Sequence, residues 1–295
     1  MDGLLLIDKP GGISSHDIVQ AVRRAAGQRK VGHAGTLDPL ATGLILVALG
    51  RATRTLEYLL ARDKRYEAEL HLGQRTDSYD ADGEIVSTHD GPLPDQATID
   101  VQLTAFRGEI LQKPPIYSAL KRGGEALYKK ARRGETVELE ARPVTIYELT
   151  LSDWSPPYLT LHVHCAKGTY IRSLAHDLGE ALGVGAHLSG LRRTAIGDFS
   201  LAQATPLAAI RAADPATLRG WLLPLGAGLS HLPSFPVDEA AHLALSRGQS
   251  LDGPLLSQAG PVRALDAAGN LVAIVRWRAD RGWQPQKVFL SAPNG

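Results

Sequence analysis

The chain has 295 residues, of which 44% are hydrophobic and 5% aromatic, and its formal net charge at pH 7 is +1. This length allows one large domain and a small one, with most of the core built from aliphatic side chains. The near-zero net charge excludes a protein surface that is basic all over and binds nucleic acid through that general charge. Any contact with a polyanion must therefore come from local patches.

The cysteine content and the first residues indicate the compartment. Cys165 is the one cysteine of the chain and has no partner for an internal disulfide, which suits a reducing environment. The apolar run at residues 4–7 is too short for a signal peptide or a membrane span. We therefore expect a cytoplasmic, monomeric protein that does not enter a membrane.

A strand and a helix are predicted at the start of the chain. Residues 4–7 are an apolar run that ends at the turn residues 9–12, which predicts a short buried strand. Ser14 and Asp17 have the spacing of a capping box, and the apolar stripe that follows predicts a helix ending at Gly27.

Residues 32–43 combine three glycines, His33, two threonines and one aspartate, Asp38. Pro39 fixes its own backbone and pushes Asp38 toward an extended conformation, so the carboxylate is held on a stiff turn. This arrangement suits a nucleophile or a base beside a bound ligand. The alternative is that Asp38 caps a helix or closes a turn. The glycine spacing matches neither standard phosphate-binding loop. Residues 44–49, which follow, fit a helix or a strand.

Two alternating segments predict strands further along. In Lys64–Leu72, Tyr66 lies on the apolar face, either as an ordinary core aromatic or as a cleft wall on which a base stacks, worth roughly 1–3 kcal/mol. In Tyr158–Cys165, His162 and His164 lie on the face opposite Cys165. These three side chains therefore do not form a metal site, and we expect no metal there.

Two loops carry further polar residues. Residues 76–83 have the composition of a calcium loop, but His89 stands where the bidentate glutamate belongs, so an Asp-Gly turn is favoured. Residues 167–174 turn from strand to helix, and we expect Tyr170 and Arg172 on one side of an extended segment. An arginine there could hold a carboxylate in a bidentate pair and keep it ionised.

A basic run with interleaved tyrosines lies between residues 113 and 133, with seven Lys/Arg against one acid, Glu125. One interpretation is an ordinary solvated face. The other is an arm on a phosphate backbone, since phosphate contacts supply most non-specific affinity for nucleic acids. The basic residues are Lys113, Lys121, Arg122, Lys129, Lys130, Arg132 and Arg133.

The composition changes after residue 229. Residues 231–236 predict a linker, and short strands follow, notably Leu271–Arg278 and residues 287–290, with Gly/Pro turns between them. We expect a catalytic domain at residues 1–229 and a small β-barrel or sandwich at residues 230–295.

Several of these segments resemble motifs of the TruB family of tRNA pseudouridine synthases. Residues 32–43 fill every fixed position of G-H-x-G-T-L-D-P-x-A-x-G. The other motifs follow in the family's order over about the first two-thirds of the chain. They are K-x-Y at 64–66, G-Q-R-T-D-x-x-D-A-D-G at 73–83, Q-x-P-P-x-x-S-A-x-K at 112–121, G-x-Y-[IV]-R-[ST] at 168–173 and L-x-R-x-x from Leu191.

The resemblance implies an α+β pseudouridine synthase fold with a mostly antiparallel central sheet, followed by a PUA-like RNA-binding module. It implies conversion of one uridine in the tRNA T-loop, position 55, to pseudouridine, with the T-arm bound and without metal or cofactor. Asp38 is the implied nucleophile, paired with Arg172, and Tyr66 stacks on the uracil and helps to move its C5 proton.

The resemblance also implies further contacts. The implied substrate-binding residues are His33, Thr36, Lys64, Asp80, Tyr170 and Leu191, with Asp80 in contact with the catalytic arginine. RNA phosphates are assigned to Lys121, Lys129, Lys130, Arg132 and Arg133, as well as to Lys64.

Two other classes of function stay open. A hydrolase could use Asp38 against a small glycoside or phosphate, but glycoside hydrolysis usually needs a second, acidic carboxyl at a defined spacing. A non-catalytic tRNA-binding or folding protein would not need Asp38 and Arg172. A relative that modifies ribosomal RNA with guide RNAs is a variant of the main hypothesis, and the lack of a long basic tail favours the stand-alone tRNA enzyme.

Overall fold

The computed structural model describes residues 1–117, 121–122, 125–126, 133, 139–253 and 260–289. Within these ranges, none of the helices has the length and apolarity needed to cross a membrane. The helices are α1 (Ser15–Ala26), α2 (Leu56–Leu60), α3 (Gln96–Leu103), α4 (Ile171–Ala181), α5 (Leu207–Ala212), α6 (Pro215–Gly220) and α7 (Glu239–Ser246).

The strands are numbered in chain order. They are β1 (Gly3–Lys9), β2 (Val31–His33), β3 (Thr42–Leu49), β4 (Lys64–Leu72), β5 (Gln74–Thr76), β6 (Ile85–Thr88), β7 (Gly108–Gln112), β8 (Lys121–Arg122), β9 (Glu125–Ala126), β10 (Arg142–Ser155), β11 (Tyr158–Cys165), β12 (Ala186–Ile196), β13 (Phe199–Ser200), β14 (Thr205–Pro206), β15 (Ser234–Pro236), β16 (Pro261–Leu265), β17 (Leu271–Arg278) and β18 (Gly282–Val288).

The larger sheet contains ten strands. Its main path runs β14-β1-β3-β12-β4-β11-β10-β7, with β2 paired to β3 and β13 paired to β12. The β1–β14 and β3–β12 pairings are parallel, and the others are antiparallel. The prediction of a mostly antiparallel central sheet in an α+β fold is therefore confirmed.

Apolar clusters hold the helices against this sheet. Helices α3 and α4 pack on β4, β11 and β12, whereas α1, α5 and α6 pack on one face of β1 and β3. The opposite face of β1 and β3 packs against Leu229 and Leu232 and against Ile274 and Phe289 from the C-terminal part. Burial of such apolar surface is the main favourable term in folding.

Helix α1 begins and ends where the sequence predicts. The Asp17 N–H donates to the Ser14 hydroxyl at 3.2 Å, and the Ser14 N–H donates to the Asp17 carboxylate at 2.9 Å, which completes the capping box. Gly27 closes the helix with a left-handed φ of 61°. Residues 44–49, which fitted either a helix or a strand, lie in β3.

Strands β4 and β11 confirm the predicted alternation of faces. Tyr66, Ala68, Leu70 and Leu72 are buried in β4, while the intervening residues are more exposed. In β11, Cys165 is 1% exposed, and His162 and His164 lie on the other face. Tyr66 pairs with Val163 on one side and with Arg193 of β12 on the other, which brings three strands together at its ring.

The C-terminal sheet has four strands in the order β15-β16-β17-β18. The strand at Leu271–Arg278 is confirmed, and the strand predicted at residues 287–290 lies earlier, at Gly282–Val288. The predicted linker is wrong at Ser234–Pro236, because these residues pair in parallel with β16. In the described part of the chain β15 and β18 do not pair with each other, so a closed barrel is not confirmed. The boundary at residue 229 stays a prediction.

Candidate active site

A cavity of about 270 Å³ lies where residues 35–38, the start of β4, residues 166–172 and β12 meet. Seven of the nine residues that the sequence assigns to catalysis or substrate binding line this cavity. They are Thr36, Asp38, Lys64, Tyr66, Tyr170, Arg172 and Leu191. The described lining does not include the other two, His33 and Asp80.

Three charged side chains form a row that begins at the cavity wall with Asp38 and Arg172 and continues behind it to Asp80. The Asp38 carboxylate lies 3.0 Å from Nη2 of Arg172, and the Asp80 carboxylate lies 3.2 Å from Nη1 of the same guanidinium. The Asp38 side chain keeps 44% exposure, whereas those of Arg172 and Asp80 are 7% and 6% exposed. Both contacts that the family resemblance implied for Arg172 are therefore present.

Both terminal nitrogens of the Arg172 guanidinium have hydrogen-bond acceptors. Its Nη2 also donates to the carbonyl of Tyr117 at 2.8 Å, and its Nη1 donates to the carbonyl of Ser78 at 3.3 Å. A buried guanidinium is tolerated only when its donors have acceptors, and here two carboxylates and two carbonyls supply them. Arg172 is therefore fixed before any ligand binds.

Two effects act in opposite directions on the Asp38 carboxyl. Burial raises the pKa of Asp38 above its ordinary value, Arg172 lowers it, and the nearby Asp80 raises it again, with a net upward direction. Arg172 thus favours the ionised form, as expected, but does not outweigh burial. A carboxylate with a raised pKa is more basic, and so a better nucleophile, than a free aspartate, and Arg172 limits this effect while it holds the group in place.

The expected extended segment includes Tyr170, whose backbone is extended, but is wrong at Arg172. Tyr170 is the residue that precedes α4, and Arg172 is already helical. The helix begins earlier because Gln112 binds both polar groups of the Tyr170 backbone, accepting from its N–H at 2.8 Å and donating to its carbonyl at 3.0 Å. Tyr170 and Arg172 nevertheless line the same cavity.

The ring of Tyr66 is part of the cavity wall and is 9% exposed. Burial raises the pKa of Tyr66, and the positive charge of the nearby Arg193 guanidinium opposes that rise. The phenol is therefore protonated at neutral pH. The wall offers an aromatic face and one polar group beside the Asp38 carboxylate.

Arg193 is a site residue that the sequence analysis did not single out. It is 1% exposed, and its guanidinium donates to the carbonyls of Leu44, Thr36 and Gly35 at 2.7, 3.5 and 3.3 Å. The cation therefore binds the backbone just before Asp38 and lies close enough to Tyr66 to interact with it electrostatically. It is the arginine of the L-x-R-x-x motif that begins at Leu191, but its partners are far away in sequence, so the motif gave it no role.

Lys9 is a second buried cation that the sequence analysis missed. It is fully buried, and its ammonium donates to the carbonyls of Pro10, Pro39 and Ala41 at 3.1, 3.3 and 2.5 Å. Burial lowers the pKa of Lys9 to about 8. A lysine that ends a strand with the apolar run 4–7 was the available signal, since lysine is rarely fully buried without partners.

The loop that carries Asp38 is held from both ends. The Ser15 hydroxyl of α1 donates to the Leu37 carbonyl at 2.9 Å and accepts from the Leu37 N–H at 2.8 Å. At the other end Gly43 has a φ of 96°, and a Cβ there would collide with the backbone of Arg193. The glycine at position 43 thus allows β3 and β12 to approach closely.

Lys64 and His33 differ from their expected surroundings. The Lys64 ammonium donates to the carbonyls of Leu60 and Arg62, and burial lowers the pKa of this lysine to about 8. Lys64 thus supports the cavity wall, and its contact with an RNA phosphate stays a prediction. His33 lies in β2, where burial lowers its pKa, and its Nδ1 is buried without a hydrogen-bond partner.

The predicted RNA-backbone residues fall largely outside the described residues. Lys129, Lys130 and Arg132 are not described, and for Lys121 the structure describes the backbone in β8 alone. Arg133 is described as exposed, in a turn. The assignment of these residues to phosphate contacts therefore stays a prediction.

Comparison with known proteins identifies the family. Residues 23–171 match the model of the TruB family pseudouridylate synthase N-terminal domain, and residues 172–230 match the tRNA pseudouridylate synthase B C-terminal domain. The chain belongs to the TruB family of pseudouridylate synthases. The sequence-based prediction of this family, and of an enzyme of the isomerase class, is confirmed.

Individual relatives extend this match over nearly the whole chain. A tRNA pseudouridine synthase B of Haemophilus influenzae is 44% identical over 283 residues, covering 94% of this chain and 90% of the relative. One of Dehalococcoides mccartyi is 45% identical over 291 residues, covering 98% and 97%.

A solved structure shows the same fold. A chain from an H/ACA RNP bound to a substrate RNA containing 2′-deoxyuridine superposes with a TM-score of 0.76 at 26% identity, covering 99% of this chain and 86% of that one. The TruB protein described here therefore has the pseudouridine synthase fold.

Proposed function

We propose that this TruB-family protein converts uridine 55 in the T-loop of tRNA to pseudouridine, with Asp38 as the nucleophile. The observation that carries the proposal is the Asp38 carboxylate, which lines the cavity, is paired with Arg172 at 3.0 Å and shares the cavity with the Tyr66 ring. The tRNA substrate is supported by the relatives of 44% and 45% identity that are named tRNA pseudouridine synthase B.

The chemistry requires a base that has left the stack. The bond between N1 of the uracil and C1′ of the ribose breaks, the base rotates, a bond forms between C5 and C1′, and the C5 proton leaves. Unstacking costs a few kcal/mol, and stacking on an aromatic side chain returns about 1–3 kcal/mol. The Tyr66 ring supplies that face.

Asp38 attacks either the base or C1′ of the sugar. In either case a negative charge on the carboxylate is consumed in the attack and restored when the intermediate resolves, so no cofactor is needed to balance the reaction. Arg172 stays beside the Asp38 carboxylate while its charge changes, because it contacts Asp38 on one side and is fixed by Asp80 on the other. Tyr66 is assigned a part in moving the C5 proton.

The remaining substrate contacts belong to the same proposal. Thr36, Tyr170 and Leu191 line the cavity and are assigned to the flipped uridine and its neighbours, and His33 is assigned to the same environment. Lys121, Lys129, Lys130, Arg132 and Arg133 are assigned to phosphates of the T-arm. We further propose that residues 230–295 form a PUA-like RNA-binding module and that the protein is a cytoplasmic monomer.

Two alternatives are less well supported. A glycoside hydrolase needs a second carboxyl as an acid, but Asp80, the carboxylate across Arg172, is 6% exposed and engaged in an ion pair. A guide-RNA-dependent enzyme is suggested by the H/ACA structure, but at 26% identity against 44% and 45% for the tRNA enzymes. The stand-alone tRNA enzyme is therefore favoured.

Release of tritium from tRNA labelled at C5 of uridine tests the proposal. Isomerisation at one position should release one tritium per tRNA, leave the RNA chain intact and keep its mass apart from the lost label. A tRNA with cytidine at position 55 is the control and should release none. Chain cleavage or loss of free uracil would contradict isomerisation, and equal release from the cytidine control would contradict the T-loop position.

A further inference from the structure

One residue outside the cavity has an unusual backbone conformation. Tyr79 has a φ of 67°, and it is the one non-glycine residue with positive φ among those that the structure describes. Left-handed backbone is uncommon for a residue with a bulky side chain, and such outliers cluster where the surrounding structure imposes a particular geometry. Tyr79 lies between Ser78 and Asp80, which both bind Arg172.

The turn at Tyr79 brings two hydrogen-bond acceptors, one from Ser78 and one from Asp80, to the same nitrogen of Arg172. Nη1 of Arg172 donates to the Ser78 carbonyl at 3.3 Å and lies 3.2 Å from the Asp80 carboxylate. The Ser78 hydroxyl donates to the Asp80 carboxylate at 2.5 Å, which fixes its rotation. On the other side, the Tyr79 carbonyl accepts from the Leu188 N–H of β12 at 3.0 Å. The loop is therefore clamped between β12 and α4.

The ring of Tyr79 makes a second contact with α4. It stacks on the imidazole of His176, with ring centroids 3.9 Å apart and planes 8° apart. His176 follows Arg172 by four residues in α4, so both side chains lie on the same face of the helix. One face of α4 thus contacts residues 78–80 twice, through the guanidinium of Arg172 and through the imidazole of His176. Burial lowers the pKa of His176, which favours the neutral ring.

We propose that the Tyr79–His176 stack is a positioning element for the reaction, because it holds the Ser78 carbonyl and the Asp80 carboxylate against Arg172 and so sets the guanidinium that contacts Asp38. This inference rests on the proposed roles of Asp38 and Arg172. The described lining of the cavity includes neither ring, so Tyr79 and His176 act through Arg172 rather than on the substrate.

Three substitutions separate the ring from the backbone. Tyr79→Phe keeps the ring and should react within about twofold of wild type. Tyr79→Asn removes the ring but tolerates the left-handed backbone. His176→Leu removes the other ring. A shift of about 1 Å in a catalytic group can cost about a hundredfold in rate. We therefore expect the Asn and Leu variants to lose at least about tenfold in the single-turnover rate, with tRNA affinity unchanged within about threefold.

The double variant tests whether the two rings act as one unit. Tyr79→Asn/His176→Leu should be no slower than the slower single variant, because contacts that share one function are not additive. A matched control is His71→Leu, which removes a ring from the His71–His187 stack, where the centroids are 5.2 Å apart and the planes 19° apart. That variant should lose stability without slowing the chemical step.

The outcomes distinguish this inference from the function on which it rests. Tyr79→Asn with wild-type single-turnover rates, or a double variant whose rate losses multiply, would overturn the positioning role while leaving the proposed function intact. Equal slowing by His71→Leu would also overturn it, since the effect would then be one of general stability. An inactive wild type would overturn the proposed function and this inference with it.

Discussion

Two arginines with different partners define the cavity at the residue scale. Arg172 binds carboxylates, at 3.0 Å from Asp38 and 3.2 Å from Asp80, and its position therefore depends on charge. Arg193 binds the carbonyls of Leu44, Thr36 and Gly35 and interacts electrostatically with Tyr66, so it fixes the backbone beside the aromatic wall. Arg172 thus holds the carboxylate of Asp38, whereas Arg193 links the backbone before Asp38 to the aromatic wall.

Substitutions of Tyr66 separate its ring from its hydroxyl. We expect Tyr66→Phe to keep tRNA binding and to slow the chemistry by about a hundredfold or more, because the hydroxyl takes part in moving the C5 proton. Tyr66→Leu should in addition lose about 1–3 kcal/mol in holding the base, since it has no aromatic face. Single-turnover rates, with binding measured separately, decide between these effects. A Phe variant as fast as wild type would make Tyr66 a packing residue.

The buried position of His33 predicts that the protein becomes less stable to unfolding in acid. Burial lowers the pKa of His33, so the unfolded chain binds a proton there at a higher pH than the folded protein. This contribution to stability is present above the ordinary histidine pKa of about 6.5 and is lost as the pH falls below it, by at most about 1.4 kcal/mol per pH unit. Denaturant unfolding at pH 7 and pH 5 should show a smaller drop for His33→Gln than for wild type. Equal drops would contradict the prediction.

Helix α1 anchors the Asp38 loop at the scale of single elements. Ser15 lies in its first turn, is 3% exposed and makes two hydrogen bonds to the backbone of Leu37, one residue before the nucleophile. The neighbouring Ser14 caps the same helix through Asp17 but does not contact the loop. These two serines therefore allow the stability of the helix and the position of the loop to be tested apart.

We expect Ser15→Ala to destabilise the protein by about 1–3 kcal/mol, because it leaves a buried N–H and carbonyl of Leu37 without partners. It should also lower the single-turnover rate, since the loop before Asp38 loses its anchor. Ser14→Ala is the matched control and should cost about 1 kcal/mol of stability without changing the rate. Unfolding curves and rates of both variants test this, and equal rates for the two would show that the anchor is not needed.

Local sequence patterns predicted the elements whose determinants are local. The capping box at Ser14 and Asp17 marked α1, and alternation from Lys64 to Leu72 placed the Tyr66 ring on the buried face. The errors arose where distant residues decide. The segment Ser234–Pro236 is a strand because β16 pairs with it, and α4 begins after Tyr170 because Gln112 binds the backbone there.

The residues of the site divide in the same way, into those that sequence motifs indicated and those that only distant partners position. The contact of Asp38 with Arg172 came from motif resemblance rather than from spacing, since 134 residues (172 − 38) separate the two in the chain. Lys9 and Arg193 were missed because their partners are backbone carbonyls that only the folded chain brings near. A buried cation that hydrogen-bonds the carbonyls of a loop produces no periodic pattern of apolar residues in the sequence.

At the scale of the whole molecule, a net charge of +1 means that RNA binding depends on where the cations lie. If the basic run contacts phosphates, log Kd for tRNA should depend on log salt with a slope of about 0.7 to 0.9 per contact. Reversal of Lys129, Lys130, Arg132 and Arg133 to Glu should weaken binding and flatten that slope.

A control for this reversal uses a second set of four exposed cations, Arg24, Arg29, Lys30 and Arg211. Their reversal to Glu changes the net charge by the same amount at another place on the surface. Affinities measured between 50 and 200 mM salt, a range over which four phosphate contacts change binding by about 10²-fold, should separate the two sets. An unchanged slope in the first set, or equal flattening in both, would show that the basic run is an ordinary solvated face.

The most direct test of the central claim is the single-turnover rate of pseudouridine formation by Asp38→Asn, measured with tRNA binding in parallel. The substitution keeps the size of the side chain and removes the charge that pairs with Arg172 at 3.0 Å. Loss of a nucleophile that acts together with its partners typically costs about 10⁴- to 10⁶-fold. The account predicts that tRNA still binds and that pseudouridine formation disappears, whereas turnover near the wild-type rate would contradict Asp38 as the nucleophile.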